Sequence, residues 1–215
     1  MLLDIPKNVN GKKYYSIPYL IFFAGAIGHY TESLLSSMTI LTPWVLLLSG
    51  LMVLILSGEI KANEFIIWFA IYCFITLALE ITGVNTGYIF GEYRYGNVLG
   101  LKLFGVPLII AFNWMFIILG AVSISSKISS NAFVVAFLAA SMALIFDYVL
   151  EPVAINLGYW EWTNKIIPLQ NYFAWFMISF LMSLSLKYFG IKISSNIFIH
   201  YFIAQLVFFL ILNFK

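Results

Sequence analysis

Apolar residues gather into seven stretches, near 17–35, 39–57, 65–82, 107–125, 131–150, 171–189 and 197–213, divided by short polar links. A helix needs about 20 largely apolar residues to cross a bilayer. The pattern therefore predicts an all-α, polytopic membrane helical bundle with about seven transmembrane helices. The first link falls around Ser36 and Ser37, and Pro43 suits the first turn of the second helix. Residues 1–16 are polar, carry Lys7, Lys12 and Lys13, and read as a retained N-terminal tail on a single membrane domain, 1–215. Two connections are longer, 83–106 and 151–170, and both are rich in glycine and aromatic residues. They follow the third and fifth spans, so they share one face of the membrane. Glu151, just before Pro152, is expected to close the fifth helix.

Composition sharpens this picture. The 215 residues are 63% apolar and 9% charged, against roughly 25% charged in a soluble domain. A formal net charge of +2 gives no basis for a nucleic-acid partner. Seven lysines fall on the side of the N-terminal tail, and four basic residues (Arg94, Lys102, Lys165 and Lys215) fall on the other, which predicts a cytoplasmic N-terminus. The single cysteine, Cys73, excludes an intrachain disulfide and a cysteine metal cluster. Two histidines, His29 and His200, at opposite depths, give neither zinc spacing nor a bis-histidine haem site. The seventh span has no lysine for a retinal Schiff base, and Gly83–Gly91 lacks the lysine of a nucleotide-binding loop. The residues suggest no metal and no cofactor.

Acidic residues change the picture most. Glu32, Glu80, Asp147 and Glu151 sit in or at the ends of apolar stretches, where a carboxylate costs roughly 2.5–3.5 kcal/mol at the bilayer centre. Because helix direction alternates and each residue rises about 1.5 Å, depths can be compared. Glu80, Asp147, Glu151, His29 and Glu32 lie near exit ends, and Asn113, Trp114, Asn171 and Trp175 lie near the start of the returning helices. All of them fall in one third of the membrane, below the two long loops. A plainer reading places single carboxylates and tryptophans there as interfacial anchors. Asp147 and Glu151, four residues apart, share a helix face. A carboxylic acid kept neutral in such a pair can serve as a proton donor.

The loops carry a more specific signal. The run Glu80-Ile-Thr-Gly83-Val-Asn-Thr86-Gly87-Tyr-Ile-Phe90-Gly91-Glu-Tyr93-Arg94-Tyr95 is followed by Leu99-Gly100 and Leu103-Phe-Gly105-Val106-Pro107. Further on come Asp147-Tyr-Val-Leu-Glu151-Pro152-Val153-Ala154, Leu157-Gly158-Tyr159-Trp160-Glu161-Trp162, Pro168-Leu169, Asn171 and Ala174-Trp175-Phe176. This ordered set, across roughly 80–190, resembles the carotenoid-biosynthesis integral membrane protein family, which includes the carotenoid hydratases of the bacterioruberin and myxol type. Members of that family often have Asp-Pro where this chain has Glu151-Pro152, and a glycine and aromatic pair where it has Ile166-Ile167.

The resemblance implies addition of water to the terminal double bond of an acyclic carotenoid end, giving a tertiary alcohol. Such chemistry needs a neutral acid, aromatic faces for the cation, one held water and an apolar way in for a polyene. Asp147 or Glu80 is expected to donate the proton, with Glu151 orienting or deprotonating the water. Asn113 and His29 are expected to hold that water, while Tyr93, Tyr95, Trp114, Trp160 and Trp162 form an aromatic wall. Arg94 is expected to pair with Glu92 or Glu80. The expected partners are the polyene, membrane lipid and other enzymes of the same pathway, in a bacterial or archaeal cytoplasmic membrane. Two further enzyme readings, isomerase and cyclase, use the same donor. A proton-coupled transporter or a carotenoid-binding protein would use the same residues without catalysis, although transporters commonly show internal repeats and broken helices, which this sequence lacks.

Overall fold

The computed structural model describes residues 11–193 and 195–215, so most of the polar tail, with Lys7, lies outside the described residues. Seven α-helices follow one another: α1 (Ser16–Tyr30), α2 (Glu32–Ser57), α3 (Asn63–Thr86), α4 (Leu108–Ile128), α5 (Ala132–Asn156), α6 (Leu169–Tyr188) and α7 (Ile197–Leu212). Helices α2 to α6 are each long and apolar enough to cross a membrane, whereas α1 and α7 have 15 and 16 residues. Large apolar side chains such as Leu20, Leu48 and Phe74 face outward. So much exposed apolar surface fits a lipid surround and not water.

Helix α4 is the axis of the bundle. In its apolar stretch 72% of residues are buried, against 22% in α2 and in α3, and it packs on α2, α3, α5, α6 and α7. Gly120 lets α7 approach closely, because a Cβ there would sit on the Cβ of Phe202 and 2.8 Å from the Phe198 carbonyl oxygen of α7. Small residues at such crossings let helix backbones pack closely in lipid. Helix α5 begins at a well-formed cap, where the Asn131 side chain accepts hydrogen bonds from the N–H groups of Phe133 and Val134, at 3.0 and 3.2 Å.

Three expected boundaries move. The first two helices divide at Thr31, in an extended conformation, and not at Ser36 and Ser37. Thr31 ends α1 by donating its N–H and its hydroxyl to the Ile27 carbonyl. Glu32 therefore opens α2, exposed, where a negative charge favours the helix start. Pro43 lies well inside α2 and not in its first turn. Helix α5 also runs through Glu151 and Pro152 to Asn156. Pro152 forfeits only one bond near the helix end, and the last turn is held by Leu157 N–H to Val153 O at 2.9 Å and Tyr159 N–H to Ala154 O at 2.8 Å.

The two long loops fold onto each other over one end of the bundle. Strand β1 (Tyr93–Tyr95) lies in the first, followed by a tight hairpin of β2 (Lys102–Leu103) and β3 (Val106–Pro107) that leads into α4. Strand β4 (Trp160–Trp162) lies in the second and pairs antiparallel with β1, setting Tyr93 opposite Trp162, Arg94 opposite Glu161 and Tyr95 opposite Trp160. Side chains alternate along a strand, so the four aromatic rings face inward and the Arg94–Glu161 ion pair faces out. Gly96 fixes the height of this ribbon. Its N–H bonds Tyr159 O at 2.9 Å, and a Cβ would fall on the Gly158 carbonyl oxygen. Gly96→Ala is expected to lift the ribbon and destabilise the protein by about 1–3 kcal/mol, read as a lower melting temperature in detergent.

Candidate active site

Beneath the ribbon lies a small cavity of about 40 Å³. A water needs roughly 10–15 Å³ of such volume, so there is room for very few. Glu80 enters from α3, Asn113 and Trp114 from α4, Asp147 and Glu151 from α5, and Asn171 and Trp175 from α6, while Tyr93, Tyr95, Trp160 and Trp162 close it from above. Phe90, Ile110, Ile117 and Leu150 make up the apolar part of the wall. Helix period explains the grouping. Asp147 and Glu151 stand one turn apart on α5, and Asn171 and Trp175 one turn apart on α6.

The three acids are held differently. Glu80, only 4% exposed, accepts from the Tyr93 hydroxyl at 2.5 Å and the Tyr95 hydroxyl at 2.8 Å on Oε2, and from Trp114 Nε1 at 3.1 Å on Oε1. Burial, and then the neighbouring Glu80, push both phenols above their ordinary range, so they remain protonated donors. Glu151 accepts from Trp160 Nε1 and Trp162 Nε1, both at 2.9 Å on Oε2, and from Asn171 Nδ2 at 3.3 Å on Oε1. An indole N–H can only donate, so that Oε2 is an acceptor. Asp147 is buried, with Oδ2 bonded to Asn171 Nδ2 at 2.8 Å. Among the described residues, its Oδ1 and the Asn113 Oδ1 are buried without a partner, and both residues belong to the cavity wall.

Of the ten residues singled out in the sequence, nine line this cavity. His29 does not. It stands on α1 and faces α7, its Nδ1 bonded to Gly25 O at 2.7 Å and its ring edge-on to Phe208. Glu32 is likewise elsewhere, exposed at the start of α2. Arg94 pairs with Glu161, and not with Glu92 or Glu80, because strand alternation turns it away from Tyr93 and Tyr95. Asn171 and Trp175 share the acids' depth in the sequence but take no role there. In the structure Asn171 bridges Asp147 and Glu151, and Trp175 stacks on Trp114 with ring centres 3.6 Å apart. Among the described residues no group of three or more histidines, cysteines or acids is arranged to hold a metal ion.

A helical membrane bundle with a buried acid cluster, roofed by aromatic side chains, defines the class of this protein. The family model of the carotenoid biosynthesis proteins matches residues 41–213, and the chain belongs to that family. A bisanhydrobacterioruberin hydratase from Haloarcula japonica is 31% identical over 107 residues, covering 46% of this chain and 36% of that protein. The chain thus matches about a third of the length of that curated relative. No solved structure matches it.

Proposed function

We propose that the protein hydrates the terminal double bond of an acyclic carotenoid end, with Asp147 as the proton donor. The observation that carries this reading is that Asp147 Oδ1 and Asn113 Oδ1, both buried and without a partner among the described residues, belong to two residues of the wall of one cavity of water size. Glu80 has both oxygens occupied by donors, and Glu151 has Oε2 shared by two indoles. Asp147 alone among the three keeps an oxygen without a partner among the described residues.

In this mechanism Asp147 gives its proton to the less substituted alkene carbon, and the π pair forms that C–H bond. The tertiary cation left behind is flanked by the indole and phenol faces of the wall, each worth about 0.5–2 kcal/mol when desolvated. Glu80, anchored by three donors, supplies a fixed negative charge. Water held by Asn113 Oδ1 adds to the cation, its surplus proton passes to Glu151, and from there it returns to Asp147. The balance is one alkene and one water for one tertiary alcohol, with no cofactor. The cavity is too small for an isoprenoid end, so binding the polyene requires the apolar side chains Phe90, Ile110, Ile117 and Leu150 to give way.

In this reading the chain is one membrane unit with seven spans, a polar tail over 1–16 and its N-terminus in the cytoplasm of a bacterium or archaeon. It takes a polyene from the lipid and works beside other enzymes of that pathway. The test is expression in cells that make lycopene, bisanhydrobacterioruberin or a monocyclic carotene, with pigments separated by chromatography and weighed. A more polar pigment heavier by one water is expected. A product of unchanged mass would replace hydration by isomerisation or cyclisation.

A further inference from the structure

A second, larger hollow of about 930 Å³ lies on the outer face of the same end of the bundle. Its wall is polar and charged, with Asn85, Glu92, Arg94, Glu161, Thr163 and Lys165 among its residues. Arg94 and Glu161 are 81% and 57% exposed, so this vestibule is wet. It shares two residues with the acid cavity, Tyr93 and Trp162. These are cross-strand partners in the ribbon, with ring centres 5.0 Å apart.

Taking the hydratase reading as given, we propose that the vestibule is the water inlet of the acid cavity, with the Tyr93–Trp162 pair as its gate. Every turnover consumes one water at a site roofed on one side and enclosed by helices α3 to α6 on the others. One and two turns deeper than Asp147 on α5 stand Ala143 and Ala139, both buried and apolar. A file of waters needs polar partners, and deeper in the helices those are the buried hydroxyls of Thr76 on α3 and of Ser179 and Ser183 on α6. Toward the vestibule the two compartments are divided by a single pair of rings. Each ring is tethered by one hydrogen bond, Tyr93 to Glu80 at 2.5 Å and Trp162 to Glu151 at 2.9 Å.

Both tethers end on carboxylates of the site, so opening the gate exchanges each of those bonds for one to the entering water. The two unpartnered oxygens, on Asp147 and Asn113, are the groups that water would meet inside. The arrangement also separates the two supplies. The polyene arrives sideways from the lipid, the water arrives from above, and the closed gate keeps bulk water off the cation between turnovers.

The inlet can be tested apart from the reaction. In a Cys73→Ser background, Asn113→Cys places a thiol in the cavity, and hydrogen peroxide, little larger than water, labels that thiol by oxidation where a water-borne reagent can reach it. Thr163→Trp, alone and with Val84→Trp, adds bulk to the vestibule at positions that do not line the acid cavity. Labelling of Asn113→Cys is expected to slow about tenfold or more when the passage is narrowed below the width of a water. With Asn113 intact, the same plugs are expected to lower kcat for hydration while leaving the KM for polyene little changed. Thr163→Trp alone, on an exposed loop position, guards against misfolding of the double variant. A reporter that stays unlabelled, or one labelled equally fast with the vestibule plugged, overturns the inlet. Plug-sensitive labelling in a protein that hydrates no carotenoid would keep the inlet and discard the hydratase reading.

Discussion

Asp147→Asn is expected to cut turnover by about 10²- to 10⁴-fold, the usual contribution of a positioned general acid, with little loss of folded protein. The amide has nearly the shape of the acid. Its carbonyl oxygen can take the place of Oδ2 and keep the 2.8 Å bond from Asn171. Its NH₂ then occupies the Oδ1 position, which has no donor facing it that would be repelled. The variant therefore removes a transferable proton and almost nothing else. Pigment analysis alongside a melting curve in detergent separates the two effects. Turnover near that of the parent protein would refute Asp147 as the donor and move the role to Glu80.

Glu80→Ala is expected to act on the fold as much as on the chemistry. It strands three buried donors at once: the hydroxyls of Tyr93 and Tyr95 and the indole N–H of Trp114. Each unsatisfied buried donor costs about 1–3 kcal/mol, and the cavity left by the side chain adds to that. Three such donors sum to about 3–9 kcal/mol, which at about 2–4 °C per kcal/mol would lower the melting temperature by about 6 °C or more in a chain of this length. The ribbon should loosen with it, because both inward tyrosines of β1 hang from this one carboxylate. Glu80→Gln keeps one acceptor oxygen and should recover part of the loss. A Glu80→Ala protein melting within a degree or two of the parent would show that Glu80 does not anchor the roof. The exposed Arg94–Glu161 pair is a useful contrast, since ion pairs in water contribute about 0–1 kcal/mol.

Much of the site was legible along the chain because membrane helices convert sequence position into depth. Glu80, Asp147, Glu151, Asn113 and Trp114 could be brought to one level by counting from the ends of apolar runs, and they do meet. His29 shows the limit of that reasoning. Depth does not say which way a helix is turned or where it stands in the bundle, and α1 lies against α2 and α7, away from the cavity. The break at Thr31 was hidden for a related reason. In lipid both sides of a helix are apolar, so no change of pattern marks the end of α1, and only the local bonding of Thr31 does.

The sequence by itself determined that this is a helical membrane protein, which residues carry charge at one depth, and to which family it belongs. It could do so because the cost of burying charge in lipid and the length of a spanning helix act residue by residue. Only the tertiary structure decided the roles within the site. The alternation in Tyr93-Arg94-Tyr95 and Trp160-Glu161-Trp162 is local, but the two strands lie far apart in the chain, one after α3 and the other after α5, and their pairing aims the rings inward and the ion pair out. That pairing gives Glu80 and Glu151 their donors and leaves Asp147 with a free oxygen. Three acids of the same chemistry are told apart only by the hydrogen bonds that distant segments bring to them.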